Sequence, residues 1–273
     1  MRNLITRTLA GAVFVSITIG SIFWHPMAVF VLFFFFNAMA LFEFSRMFKN
    51  QGYPIQSFSI ILMGSLAYLL IGLYANSILG SHIIWGFIPL LFILFISTLY
   101  QKTDRPFELL GIKLLSIIYI SIPFGLFNIV ENIGPITSQE NQPLFLVFFF
   151  VLVWASDTFA YLSGVSFGKH KLFERISPKK SWEGSIGGAL GTMIIAYTIG
   201  YYSGIFNPWI WVLLSLVIVI TATYGDLVES LLKRQLKVKD SGHIMPGHGG
   251  ILDRFDAAIF SIPFYLFLLY LLA

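Results

Sequence analysis

Long apolar stretches separated by short polar breaks run the length of the chain. A membrane-crossing helix needs about 20 consecutive, mainly apolar residues. On that rule the pattern predicts nine spans: Thr8–Trp24, Met27–Phe44, Ser57–Leu79, Ile83–Tyr100, Leu109–Val130, Leu144–Ser163, Glu183–Tyr202, Trp209–Leu227 and Phe255–Leu272. The sixth to eighth are the least uniform, because they hold Asp157 and Asp226 and border glycine-rich loops. The expected fold class is therefore all-α, a polytopic integral membrane protein. The first stretch follows arginines and is not trailed by a small-residue cleavage site, so it reads as a retained span rather than a signal peptide. No internal repeat is visible, and no loop is long enough to build its own soluble core. Two parts are expected: N-terminal membrane helices over 1–142, which pack, face lipid or form a dimer seam, and C-terminal catalytic helices over 143–273 with cytoplasmic loops 164–181 and 230–254.

Composition supports the membrane reading. The chain is 57% hydrophobic and 11% charged, against about 25% charged in soluble domains. It holds no cysteine, which excludes disulfides and thiolate zinc sites. Charge placement adds orientation. Arg2 and Arg7 precede span one, Arg46 and Lys49 follow span two, and Lys102, Arg105 and Lys113 surround the start of span five. Lys169, Lys171, Arg175, Lys179 and Lys180 lie between spans six and seven; Lys233, Arg234, Lys237, Lys239 and Arg254 lie between spans eight and nine. All 17 basic residues thus fall on one side, and the opposite loops hold Glu131 and Glu140 instead. Basic loops stay in the cytoplasm, so the N-terminus is expected there and the C-terminus on the far side.

The last two basic loops carry more than orientation requires. Asp157 sits near the cytoplasmic end of span six and shares a helix face with Tyr161, four residues on. An interfacial acid paired with a lysine is the plainer reading of it. Lys179 and Lys180 precede Ser181, which fits an N-cap, with Glu183 in the first helical turn. Cations before a helix N-terminus gather anions. The interleaved pairs Gly184/Gly188 and Gly187/Gly191 read as close helix packing. Asp226, Ser230 and Lys233 make a stripe of acid, hydroxyl and cation, with Glu229 on a neighbouring face. Gly249 and Gly250 permit unusual backbone angles, and Asp253 follows near the start of the last helix. Asp226 and Asp253, from two helices, suit one Mg²⁺, which takes one or two carboxylates plus waters and phosphates. His243 and His248 lack the partners of a zinc site. G-x-x-x-x-G-K-[ST] and D-G-x-x-A-R are both missing.

The run Ser230-x-Leu232-Lys233-Arg234, four residues, Lys239-Asp240-x-Gly242, two residues, Met245-Pro246-x-His248-Gly249-Gly250-Ile251-x-Asp253-Arg254-Phe255-Asp256 resembles the signature of the phosphatidate cytidylyltransferase (CDP-diacylglycerol synthase) family. Met245 departs from the usual leucine, isoleucine or phenylalanine, a volume-conserving change. The Asp157–Gly168 and Lys179–Gly184 segments resemble the family too. Up to about Phe145 the likeness is one of hydrophobicity alone. The resemblance implies that CTP and phosphatidic acid react with Mg²⁺ to give CDP-diacylglycerol and pyrophosphate. It implies catalytic roles for Asp226, Asp253, Lys233, Arg234, Lys239, His248 and Arg254. Asp226 and Asp253 would hold metal, with Asp157 and Asp256 as further metal candidates and room for a second cation. Lys179, Lys180, Ser181, Glu183, Ser230, Asp240, Gly249 and Gly250 would contact nucleotide or shape its loop. A homodimer in the cytoplasmic membrane, with no nucleic-acid partner, is expected. A transporter would place its polar residues at the midplane, often in inverted repeats, and neither is seen. A CTP-dependent lipid kinase would use similar groups but release CDP rather than pyrophosphate.

Overall fold

The computed structural model describes residues 2–133, 142–242 and 249–272. These form helices α1 (Arg2–Trp24), α2 (Pro26–Asn50), α3 (Ser57–Ala75), α4 (Phe87–Leu99), α5 (Pro106–Ser116), α6 (Ile122–Glu131), α7 (Gln142–Phe167), α8 (Trp182–Ser203), α9 (Pro208–Gln235) and α10 (Leu252–Leu272), with strands β1 (Lys171–Phe173) and β2 (Ser177–Ser181) between α7 and α8. Among the described residues, seven helical stretches are long and apolar enough to cross a membrane: α2, α3, Ser81–Leu99 with α4, Pro106–Glu131 with α5 and α6, α7, α9 and α10. Helices suit a bilayer because each satisfies its own backbone polar groups. The expected first and seventh spans, α1 and α8, are helical but lie outside that set; the apolar part of α1 is the short Thr8–Trp24, and α8 is rich in glycine.

The chain divides into two compact units, Met1–Asn132 with Leu236–Arg254, and Ile133–Gln235 with Phe255–Ala273. Most of the expected catalytic loop 230–254 therefore groups with the N-terminal helices.

In the first unit, aromatic side chains fill the core. Phe33 packs against Phe124 and Phe127. The buried Tyr68 hydroxyl donates to the Phe30 carbonyl (2.7 Å) and accepts from Asn128 Nδ2 (3.0 Å), so a phenol finds partners inside an apolar core. The stretch Pro106–Glu131 is not one regular helix. Ile117–Ser121 forms a π-turn directly before Pro123. Proline lacks an N–H and its ring crowds the carbonyl four residues back, and a wider turn relieves both. Two charges differ from expectation. Lys113 does not flank a span but is buried in α5, donating to Ser97 Oγ at 3.1 Å. Glu131 is likewise buried at the end of α6 rather than lying in a loop.

In the second unit, α7, α8, α9 and the Phe255–Leu272 part of α10 pack together. Trp211 stacks on Phe145, and the Tyr265 hydroxyl donates to the Phe145 carbonyl at 3.0 Å. The glycines of α8 face α7. A Cβ on Gly184 would lie 2.9 Å from the Ala160 carbonyl oxygen, and one on Gly188 would lie 3.2 Å from that of Ser156. Cβ atoms on Gly187 and Gly191 would run into Ser163 and the Phe159 ring. The other face of α8 shows Ile186, Leu190 and Ile194. The all-α expectation needs one amendment. The loop 164–181 contains the antiparallel hairpin β1–β2, paired Lys171 with Ser181 and Phe173 with Ser177.

Gly191→Leu is expected to cost more than about 1 kcal/mol through overpacking against Phe159. Leu190→Ala, one residue away on the exposed face, should stay within about 0.5 kcal/mol of wild type. Thermal unfolding of the two variants in one detergent checks the contrast.

Candidate cation and phosphate site

The second unit gathers acids where α9 meets α10. Gly225 permits the approach: a Cβ there would lie 2.7 Å from the Asp256 carbonyl oxygen and 2.7 Å from Phe260 Cβ. Asp226, Glu229 and Asp256 then each offer a carboxylate oxygen, all within 4.8 Å of one another. Asp226 and Glu229 are three apart and so neighbours on α9. Glu229 is fully buried. A buried carboxylate is costly unless paired and hydrogen-bonded. Lys233, one turn along, pairs with Glu229. Lys180 at the end of β2 reaches Asp226 Oδ2 at 2.5 Å and donates to the Thr223 carbonyl at 3.4 Å. Asp157 is near enough to act on Asp256 through its charge. Four carboxylates and two ammoniums leave a formal charge of −2. Oxygen-only donors with two surplus negative charges fit a hard divalent cation such as Mg²⁺.

The hairpin that delivers Lys180 is built by its neighbours. The Ser181 hydroxyl accepts the Gly184 N–H at 3.2 Å, the N-cap expected for α8. Glu183 accepts the Lys169 N–H at 3.1 Å and the His170 N–H at 3.2 Å, and lies 2.6 Å from His170 Nδ1. Its carboxylate thus serves the fold of the hairpin. Lys179 is exposed.

In the first unit, Ser241 and residues 250–252 surround two more carboxylates. Asp253 Oδ2 accepts the Ser241 N–H (2.9 Å), the Ser241 hydroxyl (2.9 Å) and the Gly250 N–H (2.8 Å). Glu43, from α2, reaches the same loop. Its Oε1 accepts the Ile251 N–H at 3.0 Å; its Oε2 accepts the Leu252 N–H at 3.0 Å and lies 3.2 Å from Ser241 Oγ. The first N–H groups of a helix have no partner within it, and α10 begins at Leu252. The glycines of the motif make room. Cβ atoms on Gly242 and Gly250 would run into the Glu43 carboxylate, and one on Gly249 would lie 2.6 Å from Asp253 Oδ2. Gly249 also has φ +86°, a backbone region where glycine is at home.

The expected site residues are shared between the two units. Asp226, Asp256, Asp157, Lys180 and Lys233 gather in the second unit, where Ser230 is half-buried and Arg234 exposed. Asp253, Gly249 and Gly250 belong to the loop of the first unit, where Lys239, Asp240 and Arg254 are exposed. His248 lies outside the described residues. Two acids were not among the expected site residues. Glu229 had a signal, its three-residue spacing from Asp226. Glu43 had only the oddity of an acid near the end of an apolar span.

Fold and cluster together define a helical membrane protein with a carboxylate site suited to a divalent cation. The chain belongs to the cytidylyltransferase family, whose pattern it matches over residues 5–272. Among characterised proteins it is similar to the phosphatidate cytidylyltransferase of Staphylococcus aureus (strain COL), 39% identical over 178 residues, 64% of this chain and 65% of that protein. The Bacillus subtilis (strain 168) protein of the same name is 39% identical over 173 residues, 63% of this chain and 62% of the relative. That of Staphylococcus epidermidis is 37% identical over 179 residues, 65% and 66% of the two chains. The chain thus spans just under two thirds of the length of the curated relatives it matches.

Lys233→Met should cost about 3 kcal/mol or more, because it strips the cation from a fully buried carboxylate. Lys233→Met combined with Glu229→Leu should recover much of that loss. Thermal unfolding of both variants reads the coupling; equal instability of the single and double variants would contradict the pairing.

Proposed function

We propose that the protein transfers CMP from CTP to phosphatidic acid, giving CDP-diacylglycerol and pyrophosphate. The observation that carries this reading is the cluster of Asp226, Glu229 and Asp256, with Lys180 and Lys233 beside it, in a member of the cytidylyltransferase family. The lipid nucleophile is a phosphate monoester with a second pKa of about 6, so it is mostly dianionic at pH 7. No general base is needed. One of its oxygens attacks the α-phosphorus of CTP; the bond from that phosphorus to the bridging oxygen breaks, and pyrophosphate leaves with the electron pair.

The difficulty is charge, since a dianion must approach a polyanion. Positioning and electrostatic stabilisation supply most of the catalysis in such transfers. Mg²⁺, when bound, would neutralise phosphate charge and stabilise the leaving pyrophosphate. Asp226, Glu229 and Asp256 would hold it, and Asp157 would add negative charge behind Asp256. Lys180 and Lys233 balance carboxylates of the cluster, and an ammonium, with three donors and no acceptor, suits phosphate oxygens. Ser181 and Glu183 act through the hairpin that carries Lys180. Lys179, Arg234, Lys239 and Arg254 are read as phosphate-directed cations, and Ser230 and Asp240 as polar contacts of the nucleotide. Asp253 is read as a cation-directed carboxylate at the start of α10, and His248, Gly249 and Gly250 as residues that border the nucleotide. The one-sided run of basic residues supports a site on the cytoplasmic side of the cytoplasmic membrane, and the family resemblance supports a homodimer.

The test is turnover of CTP by purified protein with phosphatidic acid, resolving pyrophosphate, CDP and liponucleotide. Pyrophosphate and CDP-diacylglycerol should appear in equal amounts, vanish with chelator and return with Mg²⁺. Asp226→Asn should lower turnover by about 100-fold or more, beyond what loss of an outer partner of a metal ligand costs. Release of CDP with a phosphorylated lipid, or no consumption of CTP, would overturn the proposal.

A further inference from the structure

We infer that Glu43 is a positioning residue, which sets the geometry of the Asp253 carboxylate by holding the loop 249–252 from α2. Glu43 is 2% exposed in an apolar helix. An acid so placed is expensive and marks function unless the fold alone uses it. Its contacts do more than hold two helices together. Both carboxylate oxygens receive backbone N–H groups of consecutive residues, Ile251 and Leu252. The peptide planes just before Asp253 are thereby fixed in two directions. Oε2 also lies at Ser241 Oγ, and the same hydroxyl touches Asp253 Oδ2. A serine hydroxyl has one proton, so two carboxylates compete for one donor and a change at Glu43 is felt at Asp253.

The glycines support a built site rather than a chance contact. Gly242 and Gly250 leave the space that the Glu43 carboxylate fills, and Gly249 leaves space for that of Asp253. Three glycines of the motif thus answer to two acids, one of them about two hundred residues away in sequence. The arrangement matches the way metal ligands are steadied by groups that do not touch the metal, at about 10–100-fold in metal affinity.

Glu43→Gln keeps the shape but replaces one acceptor oxygen by an NH₂ donor. One of the loop N–H groups then faces a donor. Serine 241 offers a milder change, because Ser241→Ala removes the shared hydroxyl and leaves the Ile251 and Leu252 bonds in place.

The inference rests on the cation-dependent reading above for its kinetic measurement, and amide exchange gives a second one independent of turnover. Glu43→Gln and Ser241→Ala are made in the full chain, and CTP turnover is followed against Mg²⁺ concentration. Exchange is measured on peptides covering 249–256 with and without Mg²⁺. Glu43→Gln should raise the Mg²⁺ needed for half-maximal turnover roughly tenfold or more, with turnover at saturating Mg²⁺ within a few-fold of wild type. Its Ile251 and Leu252 amides should exchange faster. Ser241→Ala should shift the Mg²⁺ requirement the same way by less, without freeing those amides. A wild-type Mg²⁺ requirement in both variants would reduce Glu43 to a helix cap and overturn the inference. If Glu43→Gln does not fold, the Mg²⁺ response of Ser241→Ala decides alone. If wild-type protein consumes no CTP, the proposed activity fails separately. Mg²⁺-induced protection of 249–253 in wild type, weakened in the variants, would then still support the role of Glu43, and its absence in wild type would overturn it.

Discussion

A carboxylate inside an apolar chain is costly unless donors or cations meet it, and a loop, a helix end and a hairpin of this protein are held where three acids are met in that way. Glu43 is met by two backbone N–H groups at the start of α10 and by the neighbourhood of Ser241. Glu229 is met by Lys233, and Asp226 by Lys180. Each solution fixes something else. The first pins a loop to α2, the second joins an acid and a cation one turn apart on α9, and the third ties a hairpin to α9. Glu43 and Glu229 are buried, and burial costs several kcal/mol per ion, so neither of their attachments can be loosened without leaving a charge in an apolar surrounding.

The second device is the missing side chain. Gly225 brings the α10 backbone close enough for Asp256 to join Asp226 and Glu229. Gly242 and Gly250 let a glutamate carboxylate stand where their own Cβ atoms would be. Along α8 the same economy serves packing rather than chemistry, with α7 lying against a ridge of glycines. Small residues let backbones approach where lipid offers no hydrophobic drive between helices.

Much of this was legible in the sequence. Apolar run length located the helices, because a bilayer demands length and little else. The Ser181 cap and Asp226 stood out because each sits in a short local pattern, whereas Asp253 was the acid expected beside Asp226 and Asp256 only a further candidate. The rest was hidden for physical reasons. Glu43 answers to a loop about two hundred residues away, and no local pattern encodes such a contact. Lys113 looked like one more flanking cation, but it turns inward to Ser97; charge counting has no access to side-chain direction. The β1–β2 hairpin has strands of three and five residues, too short to leave a periodicity. Glu229 was visible and set aside as lying on a neighbouring face, although residues three apart on a helix are neighbours.

The π-turn at Ile117–Ser121 matters for anyone who places this chain beside its relatives. A π-turn houses one residue more than the regular helix it interrupts. Wherever a relative runs through the same stretch as plain α-helix, a gapless alignment pairs every position from Ile122 to Glu131 with one facing about 100° away. Buried asparagines such as Asn128 would then be matched to lipid-facing residues, and a single-residue gap set inside Ile117–Ser121 restores the correspondence.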